Sequence, residues 1–238
     1  MLLSSIDILF QDPMLFLISV VKFMVTSGTA LIICISVHEF SHAAVALTFG
    51  DSTAKLMGRF TLNPLRHLDK VGTAMLLLVG FGWGKPVPVN PFLLGPDPRR
   101  KMAIVAAAGP VSNVLAAFLF GLPVRLNLID WRSPYWFWNS GGINPTHLMS
   151  DILGFIIFFN IVLAVFNLLP IFPLDGSKIV GGFLPSSAAD RLSKWEAIGP
   201  AVLLAIIAID WFTSLNLLWG VLTPAVDMLG FIVLGRPF

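Results

Sequence analysis

His38-Glu39-Phe40-Ser41-His42 brings together the residue types that zinc hydrolysis needs. On a helix, residues four apart share one face a turn apart, so both imidazoles reach one Zn²⁺. A carboxylate between them is placed to polarise a water on that ion. The surroundings sharpen the signal, because the run from Phe23 to Val37 carries no charge. Two histidines and a glutamate in hydrocarbon are expensive, and an ionisable cluster inside a membrane segment points to function by default.

A catalytic zinc takes a third protein ligand and keeps one position for water. With four histidines in the chain, and His67 and His147 both in polar stretches, candidates are few. Asp175 stands out, in Asn167-Leu168-Leu169-Pro170-Ile171-Phe172-Pro173-Leu174-Asp175-Gly176. There an apolar helix is broken by two prolines and resumes at an isolated carboxylate. Proline frees backbone carbonyls, which is costly in lipid unless the break lines a site. Such a carboxylate also serves as a helix N-cap or a proton relay. Cys34, one turn before His38, reads as a small buried thiol, since a fourth protein ligand would close the water position.

The elements that must position these groups belong to a membrane protein. The 238 residues are 56% hydrophobic and 12% charged, with mean hydropathy +0.86; soluble domains run to about 25% charged. The net charge of +2 is too small to argue for a nucleic-acid partner, and a single cysteine excludes an intrachain disulfide or a Cys-rich zinc ribbon. The first apolar run lacks a basic n-region and a cleavage site before it, so it is expected to be retained.

A span needs about 20 apolar residues. Candidates run from Met14 to Phe49, Met102 to Leu122, Asp151 to Leu169 and Pro200 to Leu218, with a short one from Trp219 to Leu234 interrupted by Pro224 and Asp227. Val71 to Phe81 is too short to cross and is followed by glycines and prolines, which suggests a re-entrant or hairpin element. The expected fold is therefore an all-α polytopic membrane protein of about five to six membrane segments, with a re-entrant or β-hairpin element after the first helix. One domain covers 1–238, with a catalytic core over about 14–180 and further helices over about 200–235. The aromatic stretch Trp131–Trp138 suggests an interfacial anchor.

Basic residues orient the chain. Lys55, Arg59, Arg66 and Lys70, then Lys85, Arg99, Arg100 and Lys101, then Lys178, Arg191 and Lys194 fall in three segments expected on one side. The positive-inside rule makes that side cytoplasmic. The N-terminus is then outside and the C-terminus, at Arg236, inside.

HEFSHA on the first span and NLLPIFPLDG on a later one resemble the site-2 protease family of intramembrane zinc metalloproteases. GDSTAKLMGRFTLNPLRHLDKVGT, GFGWGKPVPVNP and AAAGPVSN are similar, in the same order, to its compact prokaryotic branch without a PDZ or CBS module. The likeness covers most of residues 30–180 and departs from the expected string at Phe172. It implies one Zn²⁺ per chain held by His38, His42 and Asp175, with Glu39 as general base. It also implies Asn113 and Asn167 as amides holding the substrate backbone or the developing oxyanion. The partners implied are transmembrane protein substrates and the lipid bilayer, and the location a prokaryotic inner membrane. Cleaving a transmembrane helix requires it to unwind, and Gly80 to Pro91 would offer an extended edge to the unwound strand.

Two other readings use the same residues. Broken helices and buried carboxylates also mark proton- or metal-coupled transporters, but no inverted repeat is visible. The two amides also serve as hydrogen-bond glue between membrane helices.

Overall fold

A computed structural model describes residues 10–72, 84–134, 147–236 and 238. Among them it is all-helical, with four helices long and apolar enough to cross a membrane. These are α1 (Pro13–Thr48), α2 (Pro98–Arg125), α3 (Leu148–Asn167) and, last in the chain, α7 (Leu217–Leu234). Between α3 and α7 lie the shorter α4 (Asp175–Phe183), α5 (Ser186–Ser193) and α6 (Gly199–Phe212).

Helix α1 starts where Asp12 accepts a hydrogen bond from the Leu15 amide at 2.9 Å, with Pro13 as its first residue. It stops at Gly50, whose φ of +101° suits glycine. Between these ends Lys22, Thr26, Ala30, Cys34, His38, His42 and Ala46 are all buried, one every four residues. Four residues overshoot a helical turn by about 40°, so this stripe winds slowly round the axis. Its first half meets α3, where Ala30 packs with Phe155 and Ile156. Its second half meets α2. Small and polar residues inside, with large apolar ones outward, is the pattern expected when lipid surrounds the bundle.

Helix α2 buries Ala103, Ala106, Gly109, Asn113, Ala116, Ala117 and Gly121, a run of small side chains that lets its neighbours approach closely. The apolar core proper lies among α2, α3 and α7, around Ala117, Ile157, Ile161, Leu222 and Val226.

One expectation is revised. The stretch Pro200 to Leu218 does not form one span. Helix α6 is 14 residues long, about 21 Å, against a hydrocarbon core of about 30 Å. The chain turns at Thr213–Asn216 because the Asp210 carboxylate accepts the Leu217 and Leu218 amides, at 2.6 and 2.7 Å, capping the start of α7. Pro224 sits inside α7 without ending it.

The C-terminus is tied to the end of α2. Arg125, at the end of α2, donates to the Ile232 and Val233 carbonyls at the end of α7. Arg236 donates to Asn127 at 2.7 Å, and Trp131 packs edge-on against Phe238. The end of the chain therefore lies beside the α2–α3 connection, away from the three basic segments. The first third of α1 reaches the same end, where Lys22 pairs with Asp151 at 2.8 Å and Arg132 with Asp151 at 2.9 Å. The aromatic stretch lies partly, and the Val71–Phe81 element almost wholly, outside the described residues.

Two tests follow from this packing. Cysteines placed at Asn127 and Arg236 should react with an impermeant maleimide from one side of sealed vesicles, and cysteines at Lys55 and Arg191 from the other. Asp151→Leu, by removing the carboxylate that pairs with buried Lys22 and with Arg132, should cost roughly 3–5 kcal/mol. Lys22→Leu together with Asp151→Leu should recover much of that loss, measured as unfolding in detergent.

Candidate metal centre

Helix α1 carries His38 and His42 on its buried stripe, ten and six residues before its end at Thr48. That places them about 15 and 9 Å along the axis from that end. Opposite them on α2 is Gly109. A Cβ at this glycine would lie 2.5–2.6 Å from the ring atoms of both histidines, so only glycine lets α2 approach this closely. Asp175 arrives from a third direction. Helix α3 ends at Asn167, the chain turns through Leu168–Leu174, and α4 begins at Asp175. Gly176 makes this tuck possible, because a Cβ there would collide with the Leu168 and Leu169 carbonyls.

The three side chains converge. Nε2 of His38 and Nε2 of His42 are 3.0 Å apart, and Asp175 Oδ2 lies 3.1 and 3.2 Å from them. All three residues are buried.

The proton positions follow from the partners on the far side of each ring. His42 Nδ1 faces the Val105 carbonyl at 2.7 Å, which only accepts, so Nδ1 carries the hydrogen. His38 Nδ1 faces Asn113 Oδ1 at 2.6 Å. In the neutral rings both Nε2 atoms therefore present lone pairs, as does the Asp175 oxygen, which has no hydrogen-bond partner among the described residues. Three lone pairs so directed repel one another unless a cation sits among them. Tetrahedral zinc with bonds of about 2.0–2.1 Å spaces its ligands about 3.3 Å apart, close to the spacing found. The donor set fits Zn²⁺.

Glu39 is half-buried one residue past His38, and its Oε2 accepts the Val87 amide at 2.8 Å. Val87 belongs to an extended, non-helical stretch from Lys85 to Asn90. Prolines at 86 and 88 make the Val87 amide the lone backbone donor between Lys85 and Val89. The stretch runs alongside α1. Gly84 packs near Ile35, Val87 reaches Glu39, and the Asn90 amide donates to Asp51 at 2.7 Å. At its start the Lys85 amide donates to the His67 carbonyl at 2.7 Å, and Leu68 bridges to Gly84 in antiparallel fashion. His67 is wholly buried, with Nε2 donating to the Thr61 carbonyl, and braces this stretch from outside the metal centre.

Asp51 anchors the other end. Burial would raise its carboxyl, but hydrogen bonds from the Thr53 hydroxyl and amide and the Asn90 amide outweigh that and hold it below the usual carboxylate range.

Asn113 lies behind His38 and is wholly buried. Its Nδ2 donates to the Cys34 carbonyl at 3.1 Å and to Asn160 Oδ1 at 2.8 Å, so the whole amide is engaged inside the fold. Asn167 is half-buried in the last turn of α3 and donates to the Leu163 carbonyl at 3.0 Å. Cys34 is buried against α3, its Sγ donating to the Phe159 carbonyl at 3.3 Å, and stays out of the metal cluster. Sequence reasoning passed over Gly109, Asn160 and the Val87 amide. Asn160 did leave a signal, as the one polar side chain between Gly154 and Phe166 of α3.

Comparison with known proteins supports zinc as the metal. Residues 140–209 match the family model described as "Peptidase family M50". Over 200 residues the chain is 38% identical to the "Putative zinc metalloprotease YwhC" of Bacillus subtilis (strain 168), covering 83% of this chain and 85% of that one. The chain belongs to peptidase family M50, the site-2 proteases. It is also 30% identical to the "Putative zinc metalloprotease Rip2" of Mycolicibacterium smegmatis, over 81% of this chain and 71% of the relative. No solved structure matches it. Membership of this family makes the chain a membrane zinc metalloprotease, a hydrolase, and sets the transporter reading aside.

Gly109→Ala should displace the imidazoles and abolish both zinc retention after dialysis and cleavage, while helix content by circular dichroism stays near that of the wild type. For Asp51 the folded pKa lies below the unfolded value of about 3.9, so the folded state binds fewer protons. Its stabilising contribution is complete above that value and is lost as pH falls through the folded pKa. Asp51→Asn should therefore lower stability at pH 7 and flatten the acid limb of an unfolding-versus-pH curve.

Proposed function

We propose that this chain hydrolyses peptide bonds within or next to the transmembrane segments of membrane-protein substrates, using Glu39 as base and zinc held by His38, His42 and Asp175. The observation that carries this reading is the convergence of three ligand atoms, from α1 and from the start of α4, below the end of α1. Zinc in such a site lowers the pKa of water toward 7 and withdraws electrons from a carbonyl oxygen.

The chain's own groups do the rest. Glu39, beside His38 on α1, takes the proton from the attacking water and returns it to the leaving amine. The Val87 amide holds one carboxylate oxygen, which fixes the direction in which the base points. Asn167 has a half-buried side chain close to the α3–α4 turn, and we assign its amide to the substrate backbone or the developing oxyanion. Asn113 takes no such part, since its amide is already engaged.

The substrate must arrive with its helix opened, because a helical amide is shielded by its own hydrogen bonds. The extended stretch from Lys85 to Asn90 lies beside Glu39, and we assign it as the edge along which the opened strand lies. Non-helical backbone is acceptable at membrane depth where it lines such a cavity. The basic end of the bundle, with Lys55, Arg59, Arg99 and Arg191, belongs in the cytoplasm of a prokaryotic cell by the positive-inside rule. The centre then opens from that side, and both ends of the described chain face outward. Helix α7 packs into the core with α2 and α3, which supports one domain over 1–238.

The decisive experiment compares wild type with Glu39→Gln on a model single-span substrate in proteoliposomes, with zinc measured in both. Glu39→Gln should lower kcat by at least about 100-fold and keep one zinc per chain; Asp175→Ala should lose the zinc as well. Undiminished cleavage by Glu39→Gln would overturn the assignment of the base.

A further inference from the structure

We infer that Asn113 and Asn160 form a buried amide relay that holds His38 in the one tautomer able to bind zinc. The inference rests on the zinc reading above and extends it to two positioning residues from α2 and α3. Neither touches the ligand cluster's free side.

The logic runs from a group whose polarity is certain. The Cys34 carbonyl can only accept, and it lies 3.1 Å from Asn113 Nδ2. That contact fixes the orientation of the Asn113 amide, because an oxygen at that position would repel the carbonyl. The second hydrogen of Nδ2 goes to Asn160 Oδ1 at 2.8 Å. Asn160 is fixed in its turn, since its Nδ2 donates at 2.8 Å to the Ile156 carbonyl one turn back on α3. Both amides have zero exposure, so no water competes for these bonds.

With its nitrogen pinned twice, Asn113 presents Oδ1 to His38 Nδ1 at 2.6 Å. An oxygen there demands a hydrogen on Nδ1 and leaves the Nε2 lone pair for the metal. A ring with the hydrogen on Nε2 would set an N–H against the cation and two lone pairs against each other at Nδ1. Histidine ligands of metals generally donate their other N–H to such an acceptor, which fixes the ring and raises its basicity. His42 obtains the same service from a backbone carbonyl of α2, whereas His38 obtains it from a side chain steered by α1 and α3 together. The relay thus ties the metal centre to the junction of three helices, which a pair of amides serving only as interhelical glue would not do.

The test measures zinc affinity by chelator competition in detergent for wild type, Asn113→Ala and Asn160→Ala. It also records melting temperatures with zinc and after chelator treatment. Asn113→Ala should raise the zinc Kd by about 10- to 100-fold. Asn160→Ala, which keeps the acceptor but removes one of the two contacts that orient it, should raise the Kd by less, though by more than about threefold. In both variants the gap between zinc-loaded and zinc-free melting temperatures should narrow. Loss of helix glue alone would lower both temperatures together and leave the gap as it is. Zinc affinity within about twofold of wild type and an unchanged gap would overturn the relay. If Asn113→Ala does not yield folded protein, the Asn160→Ala values decide by the same criteria. Failure of the wild type itself to bind zinc would instead sink the metal centre on which the relay depends.

Discussion

Two imidazoles and a carboxylate directed at one point in a water-poor interior repel one another unless a cation joins them. That constraint organises the bundle. It requires α1 and α2 to approach closely, which the glycine at 109 and the alanines around it permit. It requires α4 to begin under the last turn of α3, which the glycine at 176 permits. Each close approach places a candidate ligand, so the small residues of the interior serve the proposed chemistry as well as the packing.

A second layer of polar contacts holds the reactive groups in direction. Both imidazole nitrogens turned away from the metal position, and one oxygen of the Glu39 carboxylate, have partners: Val105 for His42, Asn113 for His38, Val87 for Glu39. In hydrocarbon such partners matter more than in water, because no solvent replaces a lost one. The extended stretch is treated in the same way. It has few backbone donors because of its prolines, and those of Lys85, Val87 and Asn90 go to His67, Glu39 and Asp51. A non-helical segment at this depth is therefore held by its neighbours on α1 and the loop after it.

The opposite end of the bundle answers to a different demand. Lys22 on α1, Asp151 at the start of α3 and Arg132 before it form a buried charge cluster that joins helices at the end remote from the metal. The α1 stripe that carries His38 and His42 toward α2 carries Lys22 toward α3, so one helical face serves both ends. Arg125 and Arg236 then fasten the last helix to the same end.

Chemistry confined to one helix was legible in the chain itself. His38, Glu39 and His42 announce themselves because their spacing is a property of a helix and their setting is apolar. The long apolar runs were legible for the same reason, to within a few residues of α1, α2, α3 and α7. Asp175 was marked by the prolines before it, but only packing brings it within 3.1–3.2 Å of the imidazoles. The short α6 escaped because hydropathy does not register Asp210 turning back to cap α7. Gly109, Asn160 and the Val87 amide carry no local pattern, since a glycine, an amide or a backbone N–H acquires meaning only from what stands opposite. The sequence by itself determined which side chains could bind and activate, because that depends on residue type and helical period. Tertiary structure alone decided which groups orient them, because in lipid each buried donor must find its acceptor on another helix.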